Sequence, residues 1–128
     1  LNAKINHIHE RSLRLVYDDY NSSFNELLKK NNSVSIHHRN IQLVAIEMYK
    51  VLNDLCPPFM KELFEKKETT ITRSSDQFIR PKSNTVSKGV HSLRSFGPIV
   101  SDKMLPDHLK THTNLIDFKK SCKKLGAR

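Results

Sequence analysis

The sequence predicts a mainly α-helical protein: a small helical bundle over residues 1–65, then an irregular region with little β-structure, then short helices. The strongest observation is residues 35–55, the longest run whose apolar residues keep the period of one helical face. The pair Pro57-Pro58 ends this run, because proline lacks the amide hydrogen that a helix needs. Residues 69–93 are rich in Ser, Thr and Asn and show no helical period. The apolar face of the central run consists of Ile41, Val44, Ala45, Met48, Leu52 and Leu55.

Local signals predict the elements that precede the central helix. Residues 2–17 form the first helix, with Leu13 on the flank of its apolar face. The pattern S-x-x-E at residues 23–26 is a capping box, which starts a short helix over residues 24–30. Ser35 is the predicted N-cap of the central helix, since its hydroxyl can accept a hydrogen bond from a free N–H of the first turn. The apolar face of the first helix is made of Ile5, Ile8, Leu15 and Val16.

The second half of the chain carries weaker signals. We predict a helical domain over residues 1–66 and a basic C-terminal extension over residues 67–128. Within the extension, the sequence favours a short hairpin over residues 77–87 and helices over about 99–110 and 114–125. Asn114 is the predicted N-cap of the last helix, and Gly126 suits the position just after it.

Charge is the most informative property of the composition. The net charge is +9, yet residues 1–68 hold ten Lys or Arg and nine Asp or Glu, a net charge of +1. Residues 69–128 hold twelve Lys or Arg and four Asp or Glu, a net charge of +8. A basic half of this kind indicates a negatively charged partner, with nucleic acid as the first candidate. The alternative is a solvated basic surface that binds nothing in particular.

Two sets of cations are candidates for phosphate contacts. Arg11 and Arg14 are three residues apart and so share a helical face. The alternative is that they pair with the carboxylates of Glu10, Asp18 or Asp19. The second set lies on the polar side of the last predicted helix: Lys119, Lys120, Lys123 and Lys124.

No motif in the sequence indicates a catalytic, metal or cofactor site. No glycine-rich phosphate loop and no G-x-S-x-G motif is present. His108 and His112 would lie one turn apart on a helix, a spacing that zinc can use, but the glutamate of H-E-x-x-H is absent. The run at residues 17–19, Y-D-D, resembles part of a polymerase metal motif but lacks its spacer residue and its strand. We interpret that run as a polar helix terminus and predict no catalytic residue, no metal and no cofactor.

The cysteines and the hydropathy pattern bear on location. Cys56 and Cys122 need not pair, and reduced thiols in an intracellular compartment, nucleus or cytoplasm, are the expected state. No apolar run is long enough to span a bilayer, and the polar N-terminus predicts no signal peptide. We therefore expect no membrane partner. A start at Leu1 suggests a segment of a longer protein.

The order of several short motifs resembles a known family. The motifs are HERSLRLVYDDYNSSFNELLKKNNSVSIHHRNIQLVAIEMYKVLNDLCPPFM, FIRPKSNTVSKGVHSLRSFGPIVSDKMLPDHLK and LIDFKKSCKK. Together they look like the C-terminal part, thumb and post-thumb, of a non-LTR (LINE-type, jockey-like) retrotransposon reverse transcriptase. The resemblance extends from about Ile5 to Lys124. One departure is Ser101, which stands near a position where the family pattern has Trp.

The resemblance implies a thumb-like bundle that follows a catalytic palm and tracks a primer–template duplex. The polymerase aspartates would lie upstream, in a palm that would be a partner of this segment. Phosphate contacts would hold an RNA–DNA hybrid with little reading of bases, because A-form duplexes are recognised mainly by shape. Arg39 on the central helix would join Arg11, Arg14 and the four C-terminal lysines as a nucleic-acid-binding residue.

The sequence therefore leads to two functional hypotheses. The first is a nucleic-acid-binding C-terminal fragment of an RNA-directed DNA polymerase, not catalytic alone, with RNA or DNA as its partner. The second is a helical protein-interaction module, or a decayed or repurposed retroelement fragment. An exposed apolar patch would favour the interaction module.

Overall fold

The structure is a computed structural model that describes residues 1–67, 77–82, 84–86, 89 and 92–124. Within those ranges it is mainly helical, with seven α-helices and a single two-stranded sheet, which confirms the predicted fold class. The helices are α1 (Asn2–Tyr17), α2 (Phe24–Lys30), α3 (Ile36–Leu52), α4 (Pro58–Glu62), α5 (Leu93–Ile99), α6 (Asp107–Lys110) and α7 (Leu115–Lys124). The strands are β1 (Glu65–Lys66) and β2 (Phe78–Ile79), and a π-helical segment, Val100–Met104, follows α5 directly.

The capping box predicted before α2 is present. The Ser23 hydroxyl accepts a hydrogen bond from the Glu26 N–H at 3.4 Å, and the Glu26 carboxylate accepts one from the Ser23 N–H at 2.7 Å. Ser35 caps α3 as predicted, because its hydroxyl accepts from the His38 N–H. Both helices therefore begin where local side-chain chemistry satisfies their first amide groups.

The face of α1 that is buried differs from the prediction. Leu13, predicted on the flank, is 5% exposed and packs with Leu27 and Leu28 of α2. Ile8 and Val16, predicted on the buried face, are 65% and 74% exposed. The turn after α1 carries α2 back along the side of α1 that bears Leu13, and no described part of the chain buries Ile8 or Val16.

The central helix α3 ends earlier than predicted. Its last residue is Leu52, and Leu55 lies beyond it and is 56% exposed. Asp54 has a φ of 59°, a left-handed conformation that turns the chain out of the helix before the prolines are reached. Pro57 then becomes the N-cap of α4.

The main core contains residues from both predicted parts of the chain, the helical domain (1–66) and the C-terminal extension (67–128). Ala45 and Tyr49 of α3 form one buried cluster with residues that lie after residue 92 in the chain. The rest of that cluster is Val100, Leu105, Leu109, Phe118 and Cys122. A second buried cluster consists of Met48, Val51, Phe64 and Phe78. The long helix α3 is thus covered on one side by α5, α6 and α7.

Gly97 allows α5 to approach α3 closely. A Cβ at this position would lie 2.6 Å from Sδ of Met48 and 3.1 Å from Cε1 of Phe64. Pro98 follows within the same helix and cannot donate a backbone hydrogen bond. The chain then continues as the π-helical segment, a form that occurs mostly as a single turn within α-helices.

The hairpin predicted over residues 77–87 is wrong in its pairing. A strand does form at Phe78–Ile79, but it pairs antiparallel with β1, with Lys66 opposite Phe78. Phe78 is 2% exposed and meets the ring of Phe64, just before β1, edge to face. Burial of this ring fixes β2 beside β1. Thr85 and Val86 lie in no strand, and Ser83 and Ser87 lie outside the described residues.

The C-terminal helices follow the prediction in part. The helix predicted over about 99–110 starts earlier, at Leu93, and is interrupted at Leu105, because Pro106 disfavours helical backbone in the residue before it. The last helix is α7, and the Asn114 side chain accepts a hydrogen bond from the Ile116 N–H at 3.0 Å. Residues 125 and 126, predicted at the end of this helix, lie outside the described residues.

Candidate nucleic-acid interface

An open groove of about 430 Å³ runs between α3, α7 and the loop that precedes α3. Arg39 and Lys123, both predicted from the sequence as phosphate contacts, line this groove together. The remaining lining residues are Asn32, Ser33, Val34, Gln42, Leu43, Ile46 and Cys122. The fold thus brings together two cations that are far apart in the chain.

Two features of the fold place these cations. The Ser35 cap starts α3, so Arg39 lies near the N-terminal end of that helix. Phe118 of α7 stacks on Tyr49, and Cys122 packs in the same core cluster as Ala45. Helix α7 therefore runs back toward the start of α3. Lys123, which follows Cys122, consequently lies at the groove.

The groove has a positive electrostatic character. Among the described residues that line it there is no Asp or Glu. Arg39 and Lys123 are exposed, and their side chains form no ion pair with any residue that the structure describes. Because neither charge is neutralised locally, the pair is available to an anion such as a phosphate.

Gln42, which lines the groove, carries a polar atom that has no partner among the described residues. Nε2 of Gln42 is buried and has no hydrogen-bond partner among the described residues. Leu43 and Ile46 supply apolar surface next to it. Gln42 was not predicted from the sequence, although Arg39, Gln42, Leu43 and Ile46 follow the i, i+3, i+4, i+7 spacing of a second face of α3.

Cys122 is unsuited to nucleophilic chemistry in this groove. It is 1% exposed, and its burial raises the pKa of the thiol to about 11. The thiol therefore stays protonated near neutral pH, and the protonated form is not the nucleophile. The position of Cys122 in the main core indicates a packing role.

The two arginines of α1 differ in their surroundings. The Arg14 guanidinium forms an ion pair with Glu10 at 2.6 Å and donates a hydrogen bond to the Asp19 carbonyl at 3.4 Å. These carboxylate-bearing residues are the ones predicted from the sequence as the alternative partners to phosphate. Arg11 is exposed, and its side chain pairs with none of the residues in the described ranges.

The other predicted lysines lie on α7 outside the groove. Lys119, Lys120 and Lys124 are exposed on that helix. Their side chains form no ion pair within the described part of the chain. Together with Lys123 they give α7 a basic outer surface that borders the groove.

The run at residues 17–19 forms a helix terminus and a turn. Asp18 follows α1 with a left-handed φ of 48°, which ends the helix. Asp19 accepts hydrogen bonds from the side chains of Lys30 and Ser22, and these hold the pKa of its carboxyl well below its ordinary value of 3.8. Those two bonds go to Oδ2, and Oδ1 accepts hydrogen bonds from the N–H groups of Asn21 and Ser22, so both oxygens of Asp19 stabilise the turn between α1 and α2.

The prediction that His108 and His112 share a helix is wrong. Helix α6 ends at Lys110, and His112 lies in the connection to α7. There its carbonyl accepts a hydrogen bond from the Tyr49 hydroxyl at 2.8 Å, and its Nε2 lies 3.3 Å from Oγ of Ser121. In the described ranges no three His, Cys, Asp or Glu side chains cluster closely enough to hold a metal ion.

Comparisons with known proteins add no relative. No protein-family model matches the chain, and no curated protein or solved structure matches it either. None of the helices in the described residues combines the length and the apolar character that crossing a membrane requires.

Proposed function

We propose that this chain is a nucleic-acid-binding segment, the C-terminal thumb-like part of an RNA-directed DNA polymerase of the non-LTR retrotransposon type, without catalytic residues of its own. The observation that carries the proposal is the groove that Arg39 and Lys123 both line, with no carboxylate among the described residues that line it. The basic outer surface of α7 and the motif order of the sequence support it.

In this proposal the chain holds an RNA–DNA hybrid through phosphate oxygens. Lys119, Lys120 and Lys124 contact one backbone along α7, while Arg39 and Lys123 bind phosphates at the groove. Arg11 adds a contact from α1. Such contacts position the duplex without reading its sequence, and each releases bound counterions. A palm preceding this segment would then receive the primer end.

The salt dependence of binding tests the proposal. Affinity for a hybrid duplex is measured by fluorescence anisotropy across a salt series, for the wild type and for a variant with Gln in place of Lys119, Lys120, Lys123 and Lys124. Each lost phosphate contact flattens the log–log salt slope by about one unit. The control is Lys103→Gln, which removes one charge from an exposed position outside the groove. Equal slopes for the wild type and the four-lysine variant would contradict the proposal.

A second candidate function, a protein-interaction module, is favoured by the outer face of α1. Ile8, Leu15 and Val16 are 65%, 72% and 74% exposed on one helix. Large exposed apolar patches on soluble proteins mark interaction sites, and these three side chains supply exposed apolar surface on α1. Sedimentation of the purified chain distinguishes the two candidates: self-association that Ile8→Ser and Leu15→Ser abolish supports the interaction module. A monomer that binds the hybrid supports the nucleic-acid proposal.

A further inference from the structure

The groove differs in character from the basic surface of α7 that borders it. Exposed lysines on a helix suffice to contact the phosphates of a duplex. The groove adds a concave floor with apolar side chains, Val34, Leu43 and Ile46, and the amide of Gln42. Its volume of about 430 Å³ lies within the range of roughly 300–1,000 Å³ that is typical of small-molecule sites.

A stacked duplex makes no use of such a floor. Bases in a duplex face each other, and the phosphates occupy the outside, so only Arg39 and Lys123 at the groove would be engaged. A base can reach Leu43 and Ile46 only when it is unpaired and turned away from its stack. Apolar surface next to cations matches a single nucleotide, with the base on the floor and its phosphate beside the cations.

Gln42 supplies the polar group that a base edge requires. A side-chain amide can both donate and accept hydrogen bonds, and the Watson–Crick edge of every base offers at least one donor and at least one acceptor. Nε2 of Gln42 is buried without a partner in the described part of the chain, which is an unfavourable state for a hydrogen-bond donor. Rotation of the amide toward a bound base would give that donor a partner.

We infer that the groove of Arg39, Gln42, Leu43, Ile46 and Lys123 binds one unpaired nucleotide of a single strand that continues from the hybrid. The base lies against Leu43 and Ile46 and bonds to Gln42, and the phosphate lies between Arg39 and Lys123. This inference rests on the proposed function and adds a preference: a hybrid with a single-stranded extension binds more tightly than a blunt one.

The experiment compares four ligands of equal duplex length at one salt concentration. They are a blunt RNA–DNA hybrid and hybrids with an RNA overhang, a DNA overhang and an abasic overhang. The wild type should bind the RNA or DNA overhang about tenfold more tightly than the blunt hybrid. The abasic overhang should bind like the blunt hybrid after correction for its added phosphates. The RNA and DNA arms show which sugar the groove accepts.

Two variants locate the preference in the groove. Gln42→Leu removes the amide while keeping the size of the side chain, and Leu43→Ser removes apolar surface at a position that is 52% exposed. Each should lower the overhang preference to below about threefold and leave the blunt-hybrid affinity unchanged. Lys103→Gln should keep the full preference. Circular dichroism verifies folding, and Leu43→Ser serves as the test if Gln42→Leu unfolds.

The outcomes separate the inference from the proposed function. Binding of the blunt hybrid with no gain from a base-bearing overhang would overturn the inference and leave the proposed function standing. A preference retained in both groove variants, or given equally by the abasic overhang, would also overturn it. Absence of binding to every ligand at low salt would overturn both.

Discussion

The rings of Tyr49 and Phe118 stack, with centroids 4.2 Å apart and planes inclined by 22°. Tyr49 lies in α3 and Phe118 in α7, and both are almost fully buried. The Tyr49 hydroxyl also donates a hydrogen bond to the His112 carbonyl at 2.8 Å. One side chain of the central helix therefore contacts both α7 and the connection that leads into it, and so holds α7 against α3.

The ring stack between Tyr49 and Phe118 should stabilise the fold more than the hydrogen bond of the Tyr49 hydroxyl does. Phe118→Ala should lower the free energy of unfolding by about 3–5 kcal/mol, because it removes a buried ring and leaves a cavity. Tyr49→Phe keeps the stack and removes one hydrogen bond, so it should lower the free energy by about 0.5–1.5 kcal/mol. Urea unfolding followed by circular dichroism measures both. Equal losses would show that the stack is not the main link.

Gly97 should not tolerate a methyl group. Gly97→Ala should lower the free energy of unfolding by about 1–3 kcal/mol, since the new Cβ would meet Met48 and Phe64. This loss occurs although Ala favours a helix over Gly by about 1 kcal/mol. In a Met48→Ala background the same substitution should be less harmful, because the sulfur at 2.6 Å is gone. An additive double-mutant cycle would contradict the close packing.

The two cysteines should differ in reactivity. Cys122 is buried with the pKa of its thiol raised to about 11, whereas Cys56 is half-buried. Iodoacetamide at pH 8 should modify Cys56 first and leave Cys122 unmodified in the folded chain, as read by peptide mass spectrometry. In urea both should react. Because the thiol ionises near its ordinary pKa of 9.0 only in the unfolded chain, the free energy of unfolding should fall as pH rises above 9.0.

Asp19 should make the α1–α2 corner sensitive to acid. Hydrogen bonds from Lys30 and Ser22 lower the pKa of its carboxyl, so the carboxylate stabilises the fold above the ordinary pKa of 3.8. That contribution is lost as pH falls below this value toward the lowered pKa of the folded state. Asp19→Asn should lower the melting temperature at pH 7, and the difference from the wild type should shrink at pH 2–3. A constant difference would exclude this role.

Arg11 and Arg14 should contribute unequally to nucleic-acid binding. The Arg14 charge is already paired with Glu10, whereas Arg11 is exposed. Arg11→Gln should therefore weaken hybrid binding and flatten the salt slope by about one unit, and Arg14→Gln should change the slope by less. Fluorescence anisotropy on the two variants provides a matched comparison. A larger effect from Arg14→Gln would contradict the assignment.

Features set by neighbouring residues could be predicted from the sequence. The capping box at Ser23 and Glu26 and the cap at Ser35 depend on atoms within one helical turn. The strand at Phe78 could be located, but its partner could not, because pairing with Lys66 depends on burial of Phe78 against Phe64. The groove could not be predicted for the same reason. Arg39 and Lys123 were each predicted as phosphate contacts, but they line one groove only because α7 packs on α3. The sequence spacing allowed Arg14 either to contact phosphate or to pair with a nearby carboxylate, and it could not decide between the two.

The shared core has a consequence for how this chain can be dissected. Residues 93–124 carry the basic surface and also cover Ala45 and Tyr49 of the central helix. A chain cut after Lys66 would lose the four lysines of α7 and expose buried aromatic and apolar surface of α3 in the same step. Loss of binding in such a truncation would report unfolding as readily as missing contacts. Point substitutions of exposed side chains therefore separate recognition from folding more cleanly than truncation does in this protein.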